Sequence, residues 1–324
     1  MYNCSGNILR IKQGKTIDWE SIVNGSTAYT DSSFPTSTAL QWGWPYSDGT
    51  FNGTGYLTSI GFYRARNNLI TTPSLFAGTV TGDARRIEVD QRELGDCYFL
   101  DSCSCVANSS ARIEDIFLTE TYNTNGIFAA QVFIKGIATI VTVDDYLPFN
   151  TNYTDTMVFA IQDVDGSIWS SILEKMWAKV NGNYQKAQSG NSAEAFDFLL
   201  GSPVKQYWMT TDMGYNSTVS TTVATAATAV WNIILPAVDA GYLVACGTST
   251  TTIDGLVTNH AYSIFNAFSL TNATATYRLV QIRNPWGIDQ YTGLWRNADT
   301  GSWTTSFETE TGYTNSSADG ISFI

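Results

Sequence analysis

The sequence predicts an α+β fold, and three observations carry that expectation. Apolar residues at helical spacing concentrate between Leu94 and Leu200. Three strand-like runs follow, Tyr242–Cys246, His260–Phe268 and Tyr277–Arg283. Ser202-Pro203 lies between the two regions as a candidate boundary between lobes. With 324 residues, the chain is long enough for one large domain or for two lobes with separate cores.

Residues 1–40 are polar and turn-rich and read as an irregular lead-in, while residues 41–75 show no clean period. Gly95-Asp96 is a turn-and-cap signal, after which Phe99, Leu100, Cys103, Val106 and Ala107 share one helical face. Ile127–Ile134 and Ile137–Val143 read as a hairpin turning at Lys135-Gly136 and closed by Asp144-Asp145. Ile168, Trp169, Ile172, Leu173, Met176, Trp177 and Val180 mark the clearest helix, which Asn181-Gly182 stops. Another helix is expected over Ser192–Leu200, ended by Gly201. Asn216–Thr228 is low in complexity and reads as a loop running into a helix; turn residues separate Trp295, Trp303 and Phe307 in the tail.

Composition narrows the function classes. A formal charge of −12 argues against nucleic acid as the main partner, because an acidic surface repels phosphate. No membrane span is expected, since Thr, Asn, Pro and Asp interrupt the longest apolar stretch, Val223–Tyr242, short of the roughly 20 residues a span needs. The single histidine, His260, excludes mechanisms that need two imidazoles. The five cysteines, Cys4, Cys97, Cys103, Cys105 and Cys246, form no CxxC pair, which argues against structural zinc.

The compartment is open on this evidence. Met1–Thr16 lacks the pattern of a signal peptide. Yet Asn-x-Ser/Thr sequons occur at Asn3, Asn24, Asn52, Asn108, Asn152, Asn216, Asn272 and Asn315, a mild excess over the roughly five that composition alone provides. These sequons and the low charged fraction of 14% suit a secreted glycoprotein.

One thiol, one imidazole and one amide carry the chemistry. A nucleophilic cysteine needs its thiolate favoured, which a helix N-terminus or a neighbouring imidazolium achieves. Cys97 stands at an expected helix start, and His260 is the sole imidazole available as base. Asn284, within Arg283-Asn284-Pro285-Trp286-Gly287, is a candidate to orient that ring, with Trp286 shielding the bond from water. Gln91 is a candidate oxyanion donor beside the Cys97 backbone N–H. Taken singly, each of these residues has an ordinary structural reading.

Together, the stretches resemble a known family. Gln91-Arg-Glu-Leu-Gly-Asp-Cys97-Tyr-Phe-Leu, Gly255-Leu-Val-Thr-Asn-His260-Ala-Tyr-Ser and Val280-Gln-Ile-Arg-Asn284-Pro-Trp-Gly resemble the calpain family of papain-like cysteine proteases. Val143–Pro148 and Trp169–Tyr184 resemble further family segments, and the likeness runs in order from about Phe34 to the end. The resemblance implies a lead-in over residues 1–33, a mainly helical Cys-bearing subdomain over 34–203 and an antiparallel-strand subdomain bearing His and Asn over 204–324. A cleft between the subdomains would take an extended polypeptide. The roles implied are Cys97 as nucleophile, His260 as base then acid, Asn284 as orienter, Gln91 as oxyanion donor and Trp286 as shield.

Two departures stand out. Tyr98 follows the nucleophile where the family usually has Trp. The family core also binds two calcium ions through acidic side chains, but here only Glu88 and Asp319 are acids at the matching positions; Gln185, Gln290, Asn297 and Ile321 are neutral. Calcium wants several carboxylates, so weak or absent calcium binding is expected and no cofactor is required. The family default is cytoplasmic. Two function classes therefore follow: an active endopeptidase acting on polypeptides, or a non-proteolytic assembly protein, a homo-oligomer or secreted glycosylated polymer subunit, that reuses the fold.

Overall fold

A computed structural model describes residues 17–36, 60–69, 71–78, 84–153, 156–216, 218–315 and 319–324. Cys4 and the sequons at Asn3 and Asn52 lie outside the described residues. Among its described residues the lead-in contains one short helix, α1 (Trp19–Val23), which Asp18 starts by accepting the Ser21 N–H at 3.2 Å. Strand β1 (Ile60–Arg64) then runs into α2 (Ala65–Asn68).

Helix α3 (Cys97–Val106) begins where the turn-and-cap signal places it, and α4 (Ser110–Glu114) follows. The expected single apolar face is a correction: every residue of α3 from Tyr98 to Val106 is buried. Small Ser and Cys side chains make this feasible, because they let neighbouring elements approach the helix from all sides.

Strands β2 (Ile127–Ile134) and β3 (Ile137–Asp144) pair antiparallel, with Ile134 opposite Ile137. Lys135 (φ 52°) and Gly136 (φ 72°) are both left-handed, the backbone that a two-residue hairpin turn requires. Strand β4 (Tyr146–Asn150), which no sequence signal marked, pairs antiparallel with β1. Helices α5 (Trp169–Asn181) and α6 (Ser192–Leu200) end at the left-handed Gly182 and Gly201.

Helix α7 (Ser220–Asp239) continues through Asn232 and Pro236, so the expected interruption of this stretch is also corrected. Among the described residues it is the one helix long and apolar enough to cross a membrane by length and composition. It buries Ala226 and Trp231, and Ile234 and Val238 pack beside β5 (Val244–Gly247) and β6 (Ala261–Thr271). Strand β7 (Thr276–Arg283), the unforeseen α8 (Thr305–Thr311) and β8 (Ile321–Phe323) complete the chain. The last four strands form one antiparallel sheet in the order β5-β6-β7-β8.

The apolar clusters divide along the sequence. Two draw on residues between Phe34 and Leu199, joined only by Ala261 among the fully buried later residues; two others draw on Tyr262 to Phe323. The first region also has a charged core. Lys175, fully buried, donates to Asp144 and, at 2.5 Å, to the Tyr146 carbonyl. Asp145 holds Arg64 and accepts the Tyr122 hydroxyl at 2.6 Å. The paired acids that close the hairpin thus bind it to β1 and α5.

Candidate active site

Cys97 is the first residue of α3 and the only half-exposed residue in it. Burial pushes its thiol up to about 11, and Asp101 and Asp96 add to the rise. The Ala261 backbone N–H works against that shift by favouring the thiolate. Ala261 directly follows His260, so the start of β6 is brought to the sulfur across a long sequence separation. Among the described residues no hydrogen bond joins the sulfur to the His260 ring.

His260 is pinned by its own backbone. Its N–H donates to the Thr248 hydroxyl at 3.0 Å, and its carbonyl accepts the Thr248 N–H at 2.9 Å. The ring Nε2 lies 2.8 Å from the Asn284 Oδ1 at the end of β7. The Trp286 N–H also donates to that Oδ1, at 3.0 Å, which identifies it as the amide oxygen. Nε2 must then carry the proton, and Nδ1 is left as the basic nitrogen. Burial lowers the ring's pKa below its ordinary 6.5, the Asn284 bond partly offsetting this. The Trp286 ring covers the imidazole at a centroid separation of 4.8 Å, and Tyr262 meets it edge-on at 5.1 Å.

Gln91 is buried beside these groups. Its backbone N–H donates to the Pro285 carbonyl at 2.8 Å, which ties it to the residue after Asn284. Its Nε2 gives one hydrogen to the Leu94 carbonyl at 2.6 Å and retains a second. Sequence reasoning missed Arg283. Its Nη2 donates to the carbonyls of Ile87 and Val89 at 2.8 and 2.7 Å, and its Nε to that of Asp319 at 2.9 Å. The guanidinium therefore holds the segment leading to Gln91 against the strand leading to Asn284. A charge at the end of the strand-like run Tyr277–Arg283, between Ile282 and Asn284, was the available signal.

Tyr98 stands beside Cys97 for a reason a Trp could not meet. Its hydroxyl donates to the Ala187 carbonyl at 2.7 Å and accepts the Trp177 Nε1–H at 3.0 Å. The calcium candidates are engaged within the protein. Glu88 accepts from Arg85 at 3.1 Å and from the Trp169 indole at 2.5 Å, and burial pushes it up to about 7. Asp319 accepts the Ile321 N–H at 2.9 Å. Among the described residues no group of three or more His, Cys, Asp or Glu is placed to hold a metal ion. Of the sequon asparagines described, Asn24, Asn152, Asn216, Asn272 and Asn315 are exposed, whereas Asn108 is half-buried and accepts from Arg86 at 2.7 Å.

A half-buried thiol at a helix start, hydrogen-bonded by the amide that follows an amide-oriented imidazole, is equipment suited to thiol chemistry. The chain belongs to the calpain family of cysteine proteases, whose family model matches residues 29–324. It is 30% identical over 237 residues to the calpain-type cysteine protease ADL1 of Oryza sativa subsp. japonica, covering 71% of this chain and 10% of that protein. It is 28% identical over 261 residues to the calpain-type cysteine protease DEK1 of Arabidopsis thaliana, covering 79% of this chain and 11% of that one. The calpain-2 catalytic subunit of Bos taurus is 30% identical over 238 residues, covering 70% of this chain and 31% of that subunit. The match thus spans less than a third of the length of each of these relatives.

Proposed function

We propose that this chain is a cysteine endopeptidase cleaving polypeptides through Cys97, His260 and Asn284. The observation that carries the reading is the 2.8 Å bond from His260 Nε2 to Asn284, which leaves Nδ1 basic; the hydrogen bond of the Cys97 sulfur to the amide of Ala261, the residue after His260, supports it. Both reacting groups rest neutral near pH 7, because burial raises the thiol's pKa and lowers the imidazole's.

As the sulfur attacks the scissile carbonyl, its proton passes to Nδ1. The oxyanion that develops takes hydrogen bonds from the Cys97 backbone N–H and the free hydrogen of Gln91 Nε2. Asn284 and the covering Trp286 stabilise the imidazolium, which then protonates the leaving amine. Water hydrolyses the thioester by the reverse proton route. The substrate lies extended in a cleft between a subdomain over residues 34–203 and one over 204–324. No cofactor takes part, and Arg283 holds the two catalytic segments together without calcium.

A quenched fluorescent peptide library read under reducing conditions tests this. Turnover is expected in the wild-type chain, with or without a calcium chelator, and absent from Cys97→Ser. A wild-type chain that turns over no peptide in either condition removes the reading and returns the protein to the non-proteolytic assembly class.

A further inference from the structure

Asp96 precedes the candidate nucleophile, and its side chain is fully buried. Among the described residues no donor satisfies either of its oxygens, and the side-chain group that acts on them is the carboxyl of Glu174. Glu174, in the middle of α5, is 1% exposed; its Oε1 accepts the Ala160 N–H at 2.9 Å. The neighbouring Lys175 provides no counter-charge, since its ammonium is given to Asp144 and the Tyr146 carbonyl. Two carboxylates cannot hydrogen-bond each other. One must carry a proton, and buried like charges enforce this.

We propose that Asp96 and Glu174 share a proton as a positioning pair, which fixes the start of α3 on α5 and keeps a localised negative charge away from the Cys97 sulfur. This inference rests on the assignment of Cys97 as nucleophile. The groups that feel the pair are Cys97, Tyr98 and Cys103 on α3 and Tyr184 after α5. All four are held neutral by burial. Asp101, also on α3, acts on Cys97 too, but it is hydrogen-bonded by the Ser102 and Ser192 hydroxyls. From β6 the sulfur meets the Ala261 amide, and from β3 Asp144 acts on Tyr184. Burial and mutual repulsion raise the pKa of both carboxyls, in keeping with a proton retained at neutral pH.

The two amide variants separate the roles. Glu174→Gln donates to Asp96 and leaves the remaining charge next to the sulfur. Asp96→Asn donates to Glu174 and moves that charge away. The rate of Cys97 alkylation by iodoacetamide, followed by mass spectrometry of the peptide containing it, reads the thiolate fraction without any substrate. At pH 7 Glu174→Gln is expected to alkylate about tenfold more slowly than Asp96→Asn, as one unit of thiol pKa gives. Equal rates overturn the proposal. If either single variant fails to fold, the double variant decides. Restored folding in Asp96→Asn/Glu174→Gln supports a mutual pair, and a double variant no more stable than the weaker single overturns it. A chain that alkylates as expected but cleaves no peptide removes the protease reading and leaves the pair standing.

Discussion

Asn284 does two jobs with one oxygen, accepting from the His260 ring and from the Trp286 backbone. Asn284→Ala removes the group that selects the tautomer, so kcat should fall by about 100-fold or more while KM changes little. Steady-state kinetics on a fluorogenic peptide checks this; an effect confined to KM would remove the orienting role. The same ring sets the acid limit. Burial lowers its pKa, so it stays neutral, and able to accept a proton, below its ordinary range. The acid limb of kcat/KM should therefore have a midpoint under pH 6.5. A pH–rate profile with that midpoint above 6.5 contradicts the assignment.

At the scale of elements, α3 depends on what approaches it. A Cβ on Gly190 would lie 2.3 Å from Cζ of the Tyr98 ring, and that ring is held by hydrogen bonds to Ala187 and Trp177. Neither group can yield, so Gly190→Ala should cost about 1–3 kcal/mol by overpacking and disturb the residue beside Cys97. Urea unfolding measures the first effect and the Cys97 alkylation rate the second. The elements that were legible carried local signals: the Ile168–Val180 period, the Lys135-Gly136 turn and the glycines after α5 and α6. Strand β4 was not legible, because it is five residues long and carries Pro148, and its order comes from pairing with the distant β1. Helix α8 was hidden in the same way, by a Thr-rich segment whose start rests on the Thr304 hydroxyl accepting the Phe307 N–H.

Across the whole molecule, the unusual feature is how many buried or half-buried carboxyls have their pKa values raised by burial: Glu88, Asp90, Asp96, Asp101, Asp163 and Glu174. For each, the folded chain keeps protons that the unfolded chain releases above about pH 4. Stability contributed by these groups is therefore greatest at low pH and falls as pH rises through their folded values, at about 6 for Asp90 and about 7 for Glu88. His260 works in the opposite direction, gaining stability as pH rises through 6.5, but it is one group against six. Thermal unfolding should accordingly show a higher midpoint at pH 5.5 than at pH 8, an interval that spans the values of Asp90 and Glu88. A midpoint that rises steadily over this interval would show that these acids are ionised in the folded chain.

The candidate reactive groups, the helix that begins at Cys97, the hairpin and the strand runs were legible in the sequence alone, because caps, periods and turns act over a few residues. What only the tertiary structure decided are the relations between distant segments. These are the Ala261 amide at the Cys97 sulfur, the Arg283 guanidinium on the carbonyls of Ile87, Val89 and Asp319, and the Asp96 carboxyl against Glu174. Each joins groups far apart along the chain, and each gains its strength from burial, a property of the packed interior that no local pattern of residues expresses.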